Sequence, residues 1–333
     1  MSDKATVKKI AVAGLALPVL AAGGYGVAQL QQWGQAQDRD GAHGQNVFND
    51  AAARAIDPQL IAWREVETID TGLKYVSSFA AMGDTHLAVV GGDGSKTLKI
   101  LSRQGDPPVI VPLPAESLAI AVQDDRIFVG VRDHIEIFGR SGTRTAQWPS
   151  FGTAAVITSI HIHGPDIYIA DAGQRIVYRA DAQGNVQQRF GRKDDATHAP
   201  GFVLPSPHLD VAVDAAGMVW INNPGLHELE GFDATGTMVR RWGAPGMSID
   251  RFAGCCNPTD FALLHDGRFV TAEKGAPRIK IYAHDGQFQN VVAGPDILGE
   301  EAGGMDVWAD SRGRVWVAQN RAGLIRVFEP KQR

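Results

Sequence analysis

The sequence predicts an all-β fold, a six-bladed β-propeller, and three observations predict it. Its 333 residues include 38 glycines and 17 prolines without a collagen-like period, a content suited to many tight turns and not to helices. From about Leu60 onward one unit recurs six times. The last unit lacks a fourth strand, and a spare strand stands ahead of the first.

Each unit reads as an apolar strand, a tight turn, a second apolar strand, a short connection, a third strand and a fourth. The second strands align as His86–Val90, Arg126–Val131, Asp166–Ala170, Met218–Asn222, Arg268–Ala272 and Arg314–Ala318, with starts 40, 40, 52, 50 and 46 residues apart. The turns before them (GDT, QDD, GPD, DAAG, HDG, SRG) carry the short Gly/Asp chemistry of hairpins. The third strands, from TLKILSRQG to LIRVFEP, alternate apolar and polar residues, as half-buried strands do. Fourth strands follow as PPVIVPL, RTAQWP, VQQRFG, MVRRWG and FQNVVAG. Four-stranded units at this period supply complete antiparallel sheets, the blades of a propeller. The sixth blade runs out at Phe328–Pro330, so Trp63–Asp70 (WREVETID) is expected to complete it, close the ring and cover a bare edge. The tryptophans at 63, 148, 220, 242, 308 and 316 are expected to lie within strands and pack between blades.

Ahead of the ring, Lys4, Lys8 and Lys9 precede an uncharged apolar run, Ile10–Ala28. Positive charge before an apolar segment holds that end in the cytoplasm and sends the following chain across the membrane. Residues 1–28 therefore read as a signal peptide or an N-terminal membrane anchor. The run is just long enough to span, while Pro18 and the small residues near Ala21 and Ala22 suit cleavage. Either outcome makes residues 59–333 extracytoplasmic (periplasmic), tethered to the inner membrane through residues 10–28 or released. Residues 29–58, rich in Gln, Asp and Gly, read as a polar linker with a short helix near Asp50–Ala55. A net charge of −5 with interspersed signs gives no nucleic-acid footprint, so none is expected as a partner.

The strand DIYIADAGQRIVYRADAQG (Asp166–Gly184) and DSRGRVWVAQNRAGLIRVF (Asp310–Phe328) resemble the NHL repeat, and the resemblance covers residues 59–330. Blades one and two depart from it, having degenerate turns and no "AD" step. The block Gly254–Pro258 (GCCNP) resembles a bacterial, exported NHL subgroup. NHL propellers include protein-binding scaffolds, RNA-binding modules and a peptide-amide lyase, so the resemblance implies a fold and leaves the activity open.

In a propeller, the connections from strand four to the next strand one share a face with those from strand two to three. The two longest of the first kind are Gly191–Pro207 and Gly243–Pro258, which flank blade four and are expected to pack together. The second contains the chain's only cysteines, Cys255 and Cys256. Adjacent Cα atoms lie about 3.8 Å apart, under the usual disulfide range of about 4.4–6.8 Å, so a vicinal disulfide is strained but possible. Pyrroloquinoline-quinone dehydrogenases place such a ring against their cofactor, though nothing else in this sequence matches them. A metal reading needs further ligands, for which His161, His163 and His208 are the candidates. A stiffened loop or two buried thiols remains the plainer alternative. Cys255, Cys256 and His208 are expected to face one pocket at the channel mouth, walled by Phe202 and Phe252. Asn222, Asn223, Glu273, Lys274 and Arg321 are expected on its rim, and Asn257 on the same face, where a protein or peptide partner binds. The alternative is a metal- or quinone-dependent enzyme or redox protein using the cysteines and His208. No cofactor is identified. Asp210, Asp260 and Asp306, which recur at one position of the inner strands, read as structural equivalents that cap strand starts.

Overall fold

The computed structural model describes residues 54–191, 201–299 and 303–332. These residues form six four-stranded antiparallel sheets. Strand β1 (Trp63–Asp70) precedes blade one, which is β2 (Val76–Met82), β3 (His86–Gly91), β4 (Thr97–Ser102) and β5 (Val109–Pro112). Blade two is β6 (Ser117–Gln123), β7 (Arg126–Val131), β8 (His134–Gly139) and β9 (Arg144–Gln147). Blade three is β10 (Ile157–His163), β11 (Asp166–Asp171), β12 (Ile176–Ala180) and β13 (Val186–Phe190). Blade four is β14 (Val211–Val213), β15 (Val219–Asn223), β16 (Glu228–Phe232) and β17 (Met238–Trp242). Blade five is β18 (Asp260–Leu263), β19 (Phe269–Glu273), β20 (Arg278–Tyr282) and β21 (Phe288–Ala293). Blade six is β22 (Asp306–Ala309), β23 (Val315–Gln319), β24 (Leu324–Pro330) and, as its outermost strand, β1.

Strand β1 pairs with β24 from Trp63↔Pro330 to Asp70↔Leu324, the register the missing fourth strand requires. Arg326 holds Glu65 across the pair at 2.8 and 2.9 Å, and the Trp63 indole donates to Asn290 of blade five at 2.8 Å. The folded part starts a little earlier than Leu60. Ile56 packs on Gly294, and Ile61 bridges to Val291. The expected leader, most of the linker and most of the helix near Asp50–Ala55 lie outside the described residues.

Turn chemistry explains the repeat signature. Asp310 accepts from the amides of Arg312 and Arg314 and from the Trp316 indole; Asp214 does the same for Ala216, Met218 and Trp220. One carboxylate thus closes the hairpin and fixes the tryptophan beside it. The glycine of the turn between strands three and four has a second role. At Gly286 (φ 85°) a Cβ would sit 2.5 Å from the Trp242 ring of the preceding blade, and Gly184 meets Trp148 in the same way. Trp148 itself follows β9 instead of lying within it.

Six apolar clusters, one for each gap between neighbouring blades, make up the core. Trp220 and Trp242 of blade four, for example, pack with Phe261, Phe269 and Tyr282 of blade five. Around the axis, the register places Ser78, Ala119, Ser159, Asp210, Asp260 and Asp306 at equivalent inner-strand positions. The three carboxylates reach sideways. Asp210 accepts from the Phe261 amide (2.9 Å), Asp260 from Val307 (3.0 Å), and Asp306 from Phe79 (2.9 Å) and the Ser78 hydroxyl. Each therefore caps the inner strand of the next blade.

Burial opposes charge on all three. It pushes Asp210 up to about 6 and Asp306 up to about 7. Asp260, between them, is raised well above the carboxylate range by burial and by both neighbouring charges. The folded state therefore holds protons that the unfolded chain has lost, and this contribution to stability declines as pH rises through the folded values. His161 and His208, both pushed down to about 4, act in the opposite sense. Asp260→Asn keeps the acceptor for Val307 and removes the central charge. It is expected to be more stable than the parent at about pH 8, with the gap closing towards about pH 5. Denaturant unfolding of both proteins across that range tests this, since the histidines are common to both; a gap that does not change with pH would contradict it.

Candidate functional site

The face carrying the long connections is built on one recurring position. The last residue of the second strand runs Gly91, Val131, Asp171, Asn223, Glu273 and Gln319 from blade one to blade six. In blades three to six it is polar and ties down the loop entering its own blade. Asp171 accepts from Val156 at 2.9 Å, Asn223 from Val203 at 2.9 Å and Glu273 from Ala253 at 3.1 Å, while Gln319 donates to Leu298 at 2.7 Å. Loops without a ladder of their own need such partners for their buried backbone groups.

Glu273 is the most heavily committed of these. It is fully buried, paired with Arg278 and Lys280 at 2.6 Å each. The Lys280 ammonium also donates to the carbonyls of Ile249 (3.0 Å) and Arg251 (2.8 Å) and lies over the Phe252 and Tyr282 rings. Burial brings Lys280 down to about 8, against the pull of Glu273. The loop of residues 243–258 is therefore pinned from beneath by a buried charge triad. Asn257, also buried, fastens its far end, accepting from the Lys274 amide (2.9 Å) and donating to the Lys274 carbonyl (3.0 Å) and to Ala253.

The cysteines stand where this loop meets the other long connection. Their sulfurs are 3.2 Å apart and unbridged; Cys255 is exposed and Cys256 buried. Ser206, from the Gly191–Pro207 connection, donates its hydroxyl to Cys256 Sγ at 3.2 Å, and Lys274 Nζ donates to Ser206 Oγ at 2.8 Å. His227 joins the same loop through Gly254 at 2.8 Å. Burial acts to raise the Cys256 thiol, but hydrogen bonds from Ser206, Lys274 and Cys255 and the Lys274 charge outweigh it and leave it lowered. Cys255 moves up, first through its hydrogen bond to Cys256 and then through burial.

Two cavities share the axis. One of about 230 Å³ opens on the long-loop face and is lined by Tyr75, Ser77, Glu116, His208, Thr259 and Met305, among others. The second, about 250 Å³, continues towards the hairpin face past Ser159, His161 and Ala212. Thr158, Asp260 and Asp306 border both. The His208 ring lies against Gly304, where a Cβ would come within 2.3 Å of it. Burial, helped by the Lys274 charge, keeps this imidazole neutral.

The structure thus brings together Cys255, Cys256, Asn257, Glu273 and Lys274, with His208 within reach of the Lys274 charge, and it corrects four expectations. Neither cysteine lines the cavity that His208 lines. Asn222, Asn223, Asn257 and Glu273 are not rim residues: all four are buried, Asn223 and Glu273 as strand ends that satisfy loop amides and Asn257 as a loop residue that satisfies Lys274. Phe202 and Phe252 are not pocket walls but core plugs, packed on Phe232 and on Trp242 and Tyr282. His161 and His163 stand at the end of β10, whereas His208 precedes β14, so the metal candidates lie at opposite ends of the channel. Among the described residues no three His, Cys, Asp or Glu side chains are grouped to hold a metal. Arg321 is exposed on blade six. Sequence reasoning missed Ser206, and nothing but its place in a long connection signals it. It also missed the anchor position, which a column through the aligned second strands reveals.

No family model matches the chain, and no curated protein does. Solved structures do, as folds. The WD40 β-propeller domain of Doa1 is 14% identical, with a TM-score of 0.54 over 81% of this chain and 98% of that one. A streptogramin B lyase is 11% identical, with a TM-score of 0.54 over 81% and 97%. A structural genomics protein of unknown function from Bacteroides thetaiotaomicron VPI-5482 is 12% identical, with a TM-score of 0.55 over 81% and 72%. They establish a β-propeller.

If the triad holds the loop, Glu273→Ala leaves two buried cations without a counter-charge and is expected to cost about 3–5 kcal/mol in unfolding experiments. Glu273→Gln, which keeps length and an acceptor, should cost less. An alanine variant within about 1 kcal/mol of the parent would show that the triad is not the anchor.

Proposed function

We propose that this chain is an extracytoplasmic propeller of the NHL kind, acting as a binding or scaffold module for a protein or peptide partner. The binding surface is the long-loop face around blade four. One observation carries the reading. Of the large apolar side chains left exposed, Val203 and Met247 lie on the two long connections that flank blade four. Exposed apolar groups on loops that are themselves fixed from below form a surface ordered before its partner arrives, which lowers the entropic cost of binding. The NHL assignment rests on the repeat motifs of blades three and six. The extracytoplasmic assignment rests on the lysines ahead of Ile10–Ala28.

A second reading, a redox protein or a metal- or quinone-dependent enzyme, draws on Cys256, Ser206 and Lys274, and a streptogramin B lyase shares the fold. It needs a substrate to reach the cysteines from above, since they do not open into the axial cavity.

Photo-crosslinkers at residues 203 and 247 of the full chain, in its own cell, are expected to capture the same discrete partner. One at Ile110, exposed on β5 of blade one, is expected not to. Val203→Asp with Met247→Asp should lower capture about tenfold or more, and Ile110→Asp should not. Equal capture at all three positions would end the reading. A reporter fused after residue 58 should be active only outside the cytoplasm; activity inside would remove the export half of the proposal.

A further inference from the structure

We propose that Cys255 and Cys256 form a thiol–disulfide exchange site, in which exposed Cys255 takes up a low-molecular-mass disulfide and buried Cys256 closes on it. The proposal stands on the geometry of the two thiols and does not depend on what the face binds.

The two sulfurs differ in access and in company. Cys255 is open to solvent, and Cys256 is 2% exposed. A soluble disulfide therefore meets Cys255 first. Cys256 has the partners a nucleophile needs: the Ser206 hydroxyl at 3.2 Å, with the Lys274 ammonium 2.8 Å behind it. A nearby cation and a hydroxyl donor favour thiolate, the form that attacks. The 3.2 Å between the sulfurs leaves only a small movement for closure.

The chemistry balances in two steps. In the first, Cys255 loses its proton to solvent and its sulfur attacks the disulfide RS–SR. A Cys255–S–S–R bond forms, the RS–SR bond breaks, and RS⁻ leaves. In the second, Cys256 passes its proton to the departed RS⁻ and attacks the Cys255 sulfur, forming the vicinal bond and expelling a second RS⁻, which takes up the proton that Cys255 released. Two thiol groups are oxidised, and one disulfide is reduced to two thiols. The product is an eight-membered ring whose Cα atoms lie closer than disulfides prefer, so it is comparatively reducible and the reaction can run backwards.

The test treats the reduced full chain with oxidised glutathione and follows free thiols and intact mass with time. The parent is expected to lose both thiols and retain no glutathione. Cys256→Ser should retain one glutathione on residue 255, and Cys256→Ala should repeat the trapping if serine disturbs the site. Cys255→Ser should react about tenfold more slowly, its remaining thiol being buried. Lys274→Met should slow closure about tenfold near neutral pH and displace its pH profile upwards. The melting temperature of each variant checks that it folds. A parent that retains glutathione, a Cys255→Ser chain that reacts as fast as Cys256→Ser, or an unchanged pH profile in Lys274→Met would each overturn the proposal.

Discussion

A ring of six sheets must be closed, and here the closure falls to eight residues at the start of the folded chain, β1, paired along its length with the last strand, β24. Until that pairing forms, blade six has an open edge, and its neighbours have no fixed separation. The Arg326–Glu65 pair and the Trp63 indole on Asn290 lock the register and tie the seam to blade five. Such closure joins residues that are far apart in sequence and is a slow, long-range event in folding. The axial cavities, and the face on which the loops stand, exist only once the ring has its final circumference.

Within the ring, short polar side chains act as braces, and their positions are set by the repeat. The inner-strand aspartates of blades four, five and six each reach the next blade, so the sequence Asp210, Asp260, Asp306 ends on Phe79 of blade one, across the seam. The strand-end residues Asp171, Asn223, Glu273 and Gln319 hold the loops. Blades one and two have Gly91 and Val131 there, and short incoming connections. Burying these carboxylates is costly. The cost is offset by the backbone amides they satisfy and, at Glu273, by two cations.

The fold was legible because strand periodicity and turn chemistry recur six times, so a weak signal is read repeatedly. The second strands begin within one residue of their expected starts, and the closing strand was legible as a surplus at one end and a deficit at the other. The site was less so. Cys255 and Cys256 announced themselves by rarity and Lys274 by neighbourhood, and the structure joins all three. The burial of Asn223, Asn257 and Glu273 was not legible, since a polar residue at a strand end or in a loop reads as surface until the backbone it must satisfy is placed against it. The same holds for Phe202 and Phe252, whose rings turn inward to fill gaps beside Phe232 and Tyr282. Ser206 depends on contact between loops 50 residues apart, which no local pattern encodes.

The seam carries the rest, so its removal tests the account most directly. Thermal unfolding should be compared for the full chain, a form lacking residues 1–53 and a form lacking residues 1–70. The first truncation retains Ile56, the bridge at Ile61 and all of β1, and it is expected to melt as the full chain does. The second removes β1 and should lose cooperative unfolding or melt far lower, with β24 amides exchanging freely. A form lacking residues 1–70 that melts with the full chain would show that the ring does not depend on this closure.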